Sequence, residues 1–326
     1  MTTLPSRRPR LASRLGGGRR RAGPRALAWA AVTSVFALML LGNIVSATGS
    51  GLACPDWPLC HGRLIPPLRP DVLIEYGHRL AAAVTSIVLV VTIVASLRGT
   101  PAPGVRRLGF VLLGLLAVQI ALGGITVLFK LPRLISTAHL LNALLILAGL
   151  LALCAEGGAA EGRAGAARAT GPAKIRRLAI VGLAVLLAQL TLGGYVRHSG
   201  AGLACPDFPL CSGDVFPDRW LAVVHWTHRW LGVALLGLFT HLALAARGSA
   251  AGRPAGIALA LAVVQVTLGI LTVLLGLRPS IRATHAAAGY ALWATLVWTA
   301  LRAGVWRPRD GIASRTVRPM PEGARV

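Results

Sequence analysis

The chain has 326 residues, of which 55% are hydrophobic and only 13% charged, and its mean hydropathy is +0.68. This composition excludes an ordinary soluble domain and is typical of a protein that spans a bilayer. The formal net charge of +24 would suit a nucleic acid partner, but the basic residues are sorted between alternate loops, as membrane topology requires. We therefore predict a lipid bilayer as the environment and no nucleic acid partner.

Eight apolar segments follow one another along the chain, each close to the ~20 residues that a helix needs to cross ~30 Å of hydrocarbon. They lie at roughly 27–47, 73–97, 108–128, 134–153, 178–196, 221–246, 255–276 and 283–302. The sequence thus predicts an all-α polytopic membrane protein with eight transmembrane helices. An even number of spans places both termini on one side of the membrane.

The basic residues predict which side that is. They are concentrated in the arm 1–26, in the loops near 98–107, 155–177 and 247–253, and in the tail from Arg302. The positive-inside rule therefore places both termini of this multi-pass protein in the cytoplasm and predicts the cell membrane as its location. We interpret the arm as a topogenic segment rather than a cleaved signal peptide, because no convincing small-residue cleavage site follows the first apolar segment. The loops 48–72 and 197–220 then face outward.

The chain repeats itself in four blocks. The aligned pairs are GNIVSATGSGLACPDWPLC (42–60) with GGYVRHSGAGLACPDFPLC (193–211), EYGHRL (75–80) with HWTHRW (225–230), VQIALGGITVL (118–128) with VQVTLGILTVL (264–274), and STAH (136–139) with RATH (282–285). Four matches in one order predict two tandem-duplicated four-helix bundles, related by a pseudo-twofold axis along the membrane normal. The expected divisions are a basic arm at 1–26, bundles at 27–154 and 178–302, a linker at 155–177 and a tail at 303–326.

Each outward loop carries two cysteines with five residues between them, Cys54 and Cys60 in the first and Cys205 and Cys211 in the second. Covalent haem attachment requires C-x-x-C-H, so this spacing excludes it. Outside the cytoplasm the simplest interpretation is a pair of disulfides, Cys54–Cys60 and Cys205–Cys211. A shared four-cysteine metal site and a reducible thiol pair are the alternatives. Cys154, at the cytoplasmic end of the fourth span, is expected to be a buried thiol.

Four of the eight histidines recur at matched positions, His78 with His228 and His139 with His285. Each lies about five residues into an even-numbered span from its outer end. A single membrane histidine often serves only as a hydrogen-bond partner between helices. Two per bundle at one depth, in both copies, instead suit axial ligation of haem iron, and no i, i+4 histidine pair of the zinc type is present.

Two sequence positions near these histidines suggest further roles. Arg79 and Arg229 directly follow the ligand candidates and are candidates for binding haem propionates, or they extend toward the membrane surface. Glu75 stands where His225 stands in the other copy, three residues before the ligand candidate. A carboxylate there is suited to move protons or to stabilise positive charge, and the alternative is a salt bridge to Arg79. The difference predicts that the first bundle is reactive and the second holds a resident cofactor.

The order TGSGLACPDWPLCHGRLIP, EYGHRL, TAH, HWTHRW and ATH across eight spans resembles haem A synthase over roughly residues 28–302. The resemblance implies an oxidoreductase that converts the C8 methyl group of haem O, through hydroxymethyl and geminal diol forms, into the formyl group of haem A for terminal cytochrome oxidase. It implies haem b as a cofactor bound by His228 and His285, haem O as a substrate bound by His78 and His139, and Glu75 as the catalytic acidic residue. The dipeptide His228–Arg229 aligns with His78–Arg79, which favours His228 over His225 as the ligand.

The partners that the resemblance implies are haem O and haem A, an unidentified electron acceptor, haem O synthase (the farnesyltransferase that makes haem O) and cytochrome oxidase assembly factors. The alternative function is a di-haem b-type membrane electron carrier without substrate chemistry. Such a carrier should place its haems near both membrane faces, whereas all four candidate ligands here lie toward the outer face. A transporter with midplane histidines is a weaker alternative, because no span is clearly broken near its centre.

Overall fold

A computed structural model describes residues 23–98, 101–161 and 172–306, and in these ranges the chain forms eight long α-helices. They are α1 (Pro24–Thr48), α2 (Pro70–Leu97), α3 (Pro103–Leu128), α4 (Arg133–Glu161), α5 (Ala173–His198), α6 (Trp220–Ala245), α7 (Gly252–Leu274) and α8 (Pro279–Arg302). Each contains most of one predicted apolar segment. Most of the arm 1–26 and of the tail 303–326, and residues 162–171 of the linker 155–177, lie outside the described residues.

Proline and glycine mark several of the helix ends. Helices α1, α2, α3 and α8 have proline at the first helical position, where the fixed φ suits a helix and the missing N–H is not needed. Helix α1 ends at Gly49, whose φ of 75° is left-handed and whose N–H bonds to Val45 O. The chain therefore turns sharply into the first cysteine loop.

Seven of these helices, α1 to α7, are long and apolar enough to cross a membrane. The multi-pass membrane character predicted from the sequence is thus confirmed. Helix α8 is 24 residues long and contacts α7, α5, α1 and α4, but it carries polar residues such as Arg282 and His285, which lower its hydropathy. The eighth span therefore stays a prediction.

The helices form two groups of four, and in each group the contacts between helices close into a ring. Within α1 to α4 each helix contacts the next and α4 contacts α1, and α5 to α8 repeat this pattern. Three further contacts, α4 with α5, α4 with α8 and α1 with α8, join the two sets. Among helices α1 to α7, α4 is the most enclosed. Half of its most apolar stretch is buried, compared with 17–22% of the equivalent stretch in α2, α3, α6 and α7. The apolar core is consequently continuous from one set of helices to the other.

A buried hydrogen bond crosses this junction. The indole of Trp293 in α8 is 3% exposed, and its N–H donates to Leu144 O in α4 at 2.9 Å. An indole N–H in an apolar core is costly without an acceptor, so this bond fixes how α8 lies against α4.

Replacing Trp293 with Phe should therefore lower the free energy of unfolding in detergent by about 1 kcal/mol, since polar contacts between membrane helices contribute amounts of this order. Thermal unfolding of the purified protein measures it. Trp298→Phe is the matched control, because that ring packs on Trp29 at 5.6 Å between centroids and makes no indole hydrogen bond to the described residues. An equal loss in both variants would assign the effect to ring size instead.

Candidate functional site

Both cysteine pairs form the predicted disulfides, Cys54–Cys60 and Cys205–Cys211, and all four residues are buried. Each bridge closes within its own loop, so a metal site shared by the four thiols is excluded. In the described ranges no group of three or more His, Cys, Asp or Glu side chains is placed to hold a metal ion. Cys154 is a free and buried thiol, as expected.

An aspartate inside each disulfide loop stabilises the loop conformation. The carboxylate of Asp56 accepts hydrogen bonds from the backbone N–H groups of His61 at 2.6 Å and Gly62 at 2.7 Å, two residues with positive φ. The second loop repeats this arrangement with Asp207, Ser212 and Gly213. The backbone N–H of Gly62, with that of His61, lowers the pKa of Asp56, and the N–H groups of Gly213 and Ser212 lower the pKa of Asp207.

Arg79 ties the first disulfide loop to α2. Its Nη1 donates to Asp56 O at 2.6 Å and Leu59 O at 2.7 Å, and its Nη2 donates to Cys54 O at 2.8 Å. Its Nε donates to Glu75 Oε1 at 3.0 Å, so the salt bridge given as the alternative role of Glu75 is present. The loop therefore stays attached to the helix turn that carries His78.

Arg229 ties the second disulfide loop to α6, with His225 in the place of Glu75. It donates to three loop carbonyls, those of Asp207 at 2.6 Å, Leu210 at 3.1 Å and Cys205. Its Nε points to His225 Nε2 at 3.3 Å, the position that Glu75 occupies in the first half. Each arginine thus uses most of its five N–H donors on its own chain. A propionate-binding role for Arg79 and Arg229 stays a prediction.

The four recurring histidines all lie about two turns from the disulfide-loop ends of α2, α4, α6 and α8. Each imidazole packs against a glycine of the preceding helix, where a methyl group would come within 2.8–3.3 Å of the ring. The pairs are His78 with Gly42, His139 with Gly123, His228 with Gly193 and His285 with Gly269. A side chain at Gly42 or Gly193 would force the imidazole to move, and one at Gly123 or Gly269 would press on it.

The second histidine pair lines a cavity. The ring centroids of His228 and His285 are 6.5 Å apart, their planes are almost perpendicular, and the adjoining cavity measures about 270 Å³. Metal–imidazole bonds of about 2 Å place the centroids of two opposed axial imidazoles roughly 6 Å apart. The Nδ1 atoms of all four recurring histidines are also buried and have no hydrogen-bond partner among the described residues. These residues therefore fit haem iron between two imidazoles.

A glutamine on the preceding helix approaches the second histidine of each pair. In the first half Gln119 Nε2 is 3.2 Å from His139 Nε2, and Asn142 Nδ2 donates to Gln119 Oε1 at 2.7 Å. In the second half Gln265 Nε2 lies 3.5 Å from His285 Nε2. Sequence reasoning missed both glutamines, although each stands in a matched block that was already aligned.

The aromatic residues of the two disulfide loops differ in their surroundings. Trp57 lies over Gly124 of α3, where an added methyl group would meet the indole at 3.2 Å. Phe208, its counterpart, lines the cavity of the second half, and the Arg229 guanidinium lies 6.0 Å from its ring centroid. The matched position to Gly124 is Ile270, so only the first half leaves room for a large ring there.

Paired histidines on separate membrane helices, each beside a glycine and beneath a disulfide loop, form an arrangement suited to holding haem in a helical membrane protein. The sequence matches the COX15-CtaA family, described as cytochrome oxidase assembly protein, over residues 25–72 and 70–297. The chain belongs to this family.

Curated haem A synthases are among the proteins that this chain resembles. The one from Symbiobacterium thermophilum is 33% identical over 219 residues, which cover 65% of this chain and 71% of that protein. The one from Bacillus pumilus is 30% identical over 227 residues, covering 64% and 73%. The one from Alkalihalophilus pseudofirmus is 31% identical over 215 residues, covering 64% and 72%.

The aspartate in the second disulfide loop should make stability depend on pH. Because folding lowers the pKa of Asp207, its contribution is present above the unfolded pKa of about 4 and is lost as pH falls through the folded value. Asp207→Asn should therefore melt at a lower temperature than the parent protein at pH 7, and this difference should shrink below about pH 4. Thermal unfolding at several pH values measures it, and Asp218→Asn is the control. A difference that persists unchanged at low pH would contradict the assignment.

Proposed function

We propose that the chain is a haem A synthase, an oxidoreductase that converts the C8 methyl group of haem O into the formyl group of haem A. One observation carries the proposal. Two histidine pairs lie at equivalent depths in a chain whose curated relatives are haem A synthases. A di-haem electron carrier would also need two pairs, but it should place them near both membrane faces, whereas all four histidines here lie toward the disulfide-loop side of their helices.

Haem b is assigned to the second half, between His228 and His285, and substrate haem O to the first half, between His78 and His139. The 6.5 Å separation and the cavity support the first assignment. The glycine contacts and unpaired Nδ1 atoms of His78 and His139 support the second. The bound haems supply the redox chemistry, and the helices hold the imidazoles inward and away from lipid.

His228, rather than His225, is proposed as the ligand on α6. Both ring nitrogens of His225 face N–H donors, Nδ1 the Cys205 backbone N–H at 3.3 Å and Nε2 the Arg229 Nε at 3.3 Å, and whichever nitrogen is unprotonated accepts from its neighbour. An imidazole whose two nitrogens already have partners has no lone pair left for iron. His225 is instead a positioning residue for the second disulfide loop.

Glu75 is proposed to handle protons in the first half. Oxidising a methyl group to a formyl group, with water as the oxygen donor, releases four electrons and four protons. The electrons go to an external acceptor, and a buried group near the substrate must accept the protons. Glu75 is 4% exposed and lies three residues before His78, and Arg79 engages its Oε1. Proton transfer is assigned to Oε2.

The two halves are proposed to be tandem-duplicated four-helix bundles, at 27–154 and 178–302, related by a pseudo-twofold axis along the membrane normal. Their matched contacts support this. Examples are the hydrogen bonds of Arg79 and Arg229 to the disulfide loops and the four histidine–glycine contacts. Two leucines with positive φ also match, since Leu131 packs against Gly51 and Leu277 against Gly202. The distribution of basic residues supports a cell-membrane protein with cytoplasmic termini and outward disulfide loops.

Haem O synthase and cytochrome oxidase assembly factors are proposed as partners. Haem O carries a farnesyl chain and is poorly soluble in water, so transfer within the membrane from the enzyme that makes it avoids release into solution. The description of the matched family, cytochrome oxidase assembly protein, supports a place in that process.

Expression of the chain in cells that contain a haem O source should produce haem A, measured by chromatography of extracted haems. Glu75→Gln should retain both histidine pairs and bound haem while lowering haem A formation at least about tenfold, because the neutral amide takes no proton. Asp71→Asn, on the same helix but paired with Arg69 at 2.7 Å, is the control. Unchanged haem b with no haem A in cells expressing the parent protein would instead support the di-haem electron carrier.

The close glycine contact allows a test of the haem b ligands. Gly193→Ala places a methyl group about 2.8 Å from His228 Cε1, which forces the imidazole to shift, so bound haem b per polypeptide should fall. The pyridine haemochrome assay on purified protein measures it. Gly237→Ala is the matched control, because its added methyl group meets nothing within 4 Å. Full haem content in Gly193→Ala would argue against His228 as a ligand.

A further inference from the structure

Two arginines of the second half lie on the walls of its cavity. Arg282 precedes His285 by three residues in α8, so the two share a helix face. Arg197 follows Gly193 by four residues in α5, and Gly193 is the glycine beneath His228. Both arginines line the cavity, about one helix turn nearer the disulfide-loop end than the two imidazoles.

Their hydrogen bonds leave much of each guanidinium unused. Arg197 donates Nη1 to Asn43 Oδ1 at 2.5 Å and Nη2 to Asn43 O at 3.0 Å. Arg282 donates Nη2 to Ala47 O at 2.6 Å. The Nε atoms of both arginines are buried without a hydrogen-bond partner among the described residues. These three acceptors all belong to α1, and none of them is a carboxylate.

The two guanidinium groups lie near one another, because they donate to Asn43 and Ala47, which are one turn apart on α1. No acidic side chain in the described ranges lies within 4 Å of either group. Two like charges at the edge of an apolar cavity are unfavourable unless an anion accompanies them. Two carboxylates would suit the pair, because the planar fork of arginine matches a carboxylate with two parallel hydrogen bonds.

We propose that Arg197 and Arg282 bind the two propionates of the haem held by His228 and His285, and so make that haem a resident cofactor. This rests on the proposed haem b site. It gives the propionates of this haem to arginines other than Arg229, whose donors are largely bonded to the second disulfide loop.

The first half differs at both matched positions. Ser46 aligns with Arg197 and Ser136 aligns with Arg282, so the substrate site lacks both positive charges. The Ser136 hydroxyl is buried without a partner among the described residues. A site that must accept haem O and release haem A is served by weaker anchoring. The arginine-to-serine difference therefore distinguishes the second-half site, which retains its haem, from the first-half site, which exchanges it.

The test uses full-length protein purified with its haem. The double variant Arg197→Ser, Arg282→Ser recreates the serines of the first half. Transfer of haem b to excess apomyoglobin should be about tenfold faster or more for each arginine removed, since bonds to charged groups contribute this much to affinity. The midpoint potential of haem b should fall, because two positive charges near the iron are lost. Arg278→Gln, an exposed arginine just before α8, should change neither value.

Two further measurements separate propionate binding from a structural role. Asn43→Ala removes the side-chain acceptor of Arg197 on α1 but keeps both arginines and the two backbone acceptors, so haem transfer should stay at the parental rate. Protein reconstituted with haem b dimethyl ester should release it quickly, and the serine variant should release the ester no faster than the parent does. If the serine variant does not fold, Arg197→Lys, Arg282→Lys keeps the charges and should give an intermediate rate.

The outcomes distinguish the two proposals. Parental haem transfer in the serine variant, with haem b still lost on His228→Ala, would overturn the arginine proposal and leave the haem b site intact. Loss of haem in Asn43→Ala equal to that in the serine variant would overturn it in favour of helix contact. Haem b that persists in the His228→Ala, His285→Ala variant would refute the site itself, and the arginine proposal with it.

Discussion

The contact between each inward histidine and a glycine of the preceding helix is the constraint on which the site depends. A β-carbon on Gly42 or Gly193 would come within 3 Å of the ring, so the helices approach as closely as they do only without one. This packing holds four polar rings at one depth in an apolar environment. It also fixes the separation of His228 and His285 at a value that suits axial ligands. The disulfide loops then cover the same ends of the helices.

The sequence was sufficient to predict the helices, the cysteine pairs and the recurring histidines, because each depends on local composition or on a repeat. It offered the Glu75–Arg79 salt bridge as an alternative, but it did not predict the loop carbonyls that Arg79 and Arg229 contact. A residue beside a ligand candidate suggests a propionate partner, but the path of the disulfide loop brings three carbonyl oxygens to each guanidinium. Loop paths depend on turns and on packing against distant side chains such as Gly124, which a single sequence does not display.

The two halves differ at a matched position while the arginine contacts to the loop carbonyls are the same. Glu75 accepts from Arg79 Nε, and His225 Nε2 faces the equivalent Nε of Arg229. One acceptor is a carboxylate and the other an imidazole, so the same scaffold carries different charge in each half. The two halves can therefore differ in function through the identity of this side chain alone, while the loops and helix contacts stabilise both halves.

The continuous core makes the two halves of the chain depend on each other. Helices α4 and α8 bury apolar surface against one another, and Trp293 finds its acceptor, Leu144 O, across that boundary. A four-helix unit alone would leave this face, and the indole N–H, exposed to lipid. Each half therefore supplies part of the surface that keeps the other half buried, so a substitution that reshapes α4 also affects the packing of α8.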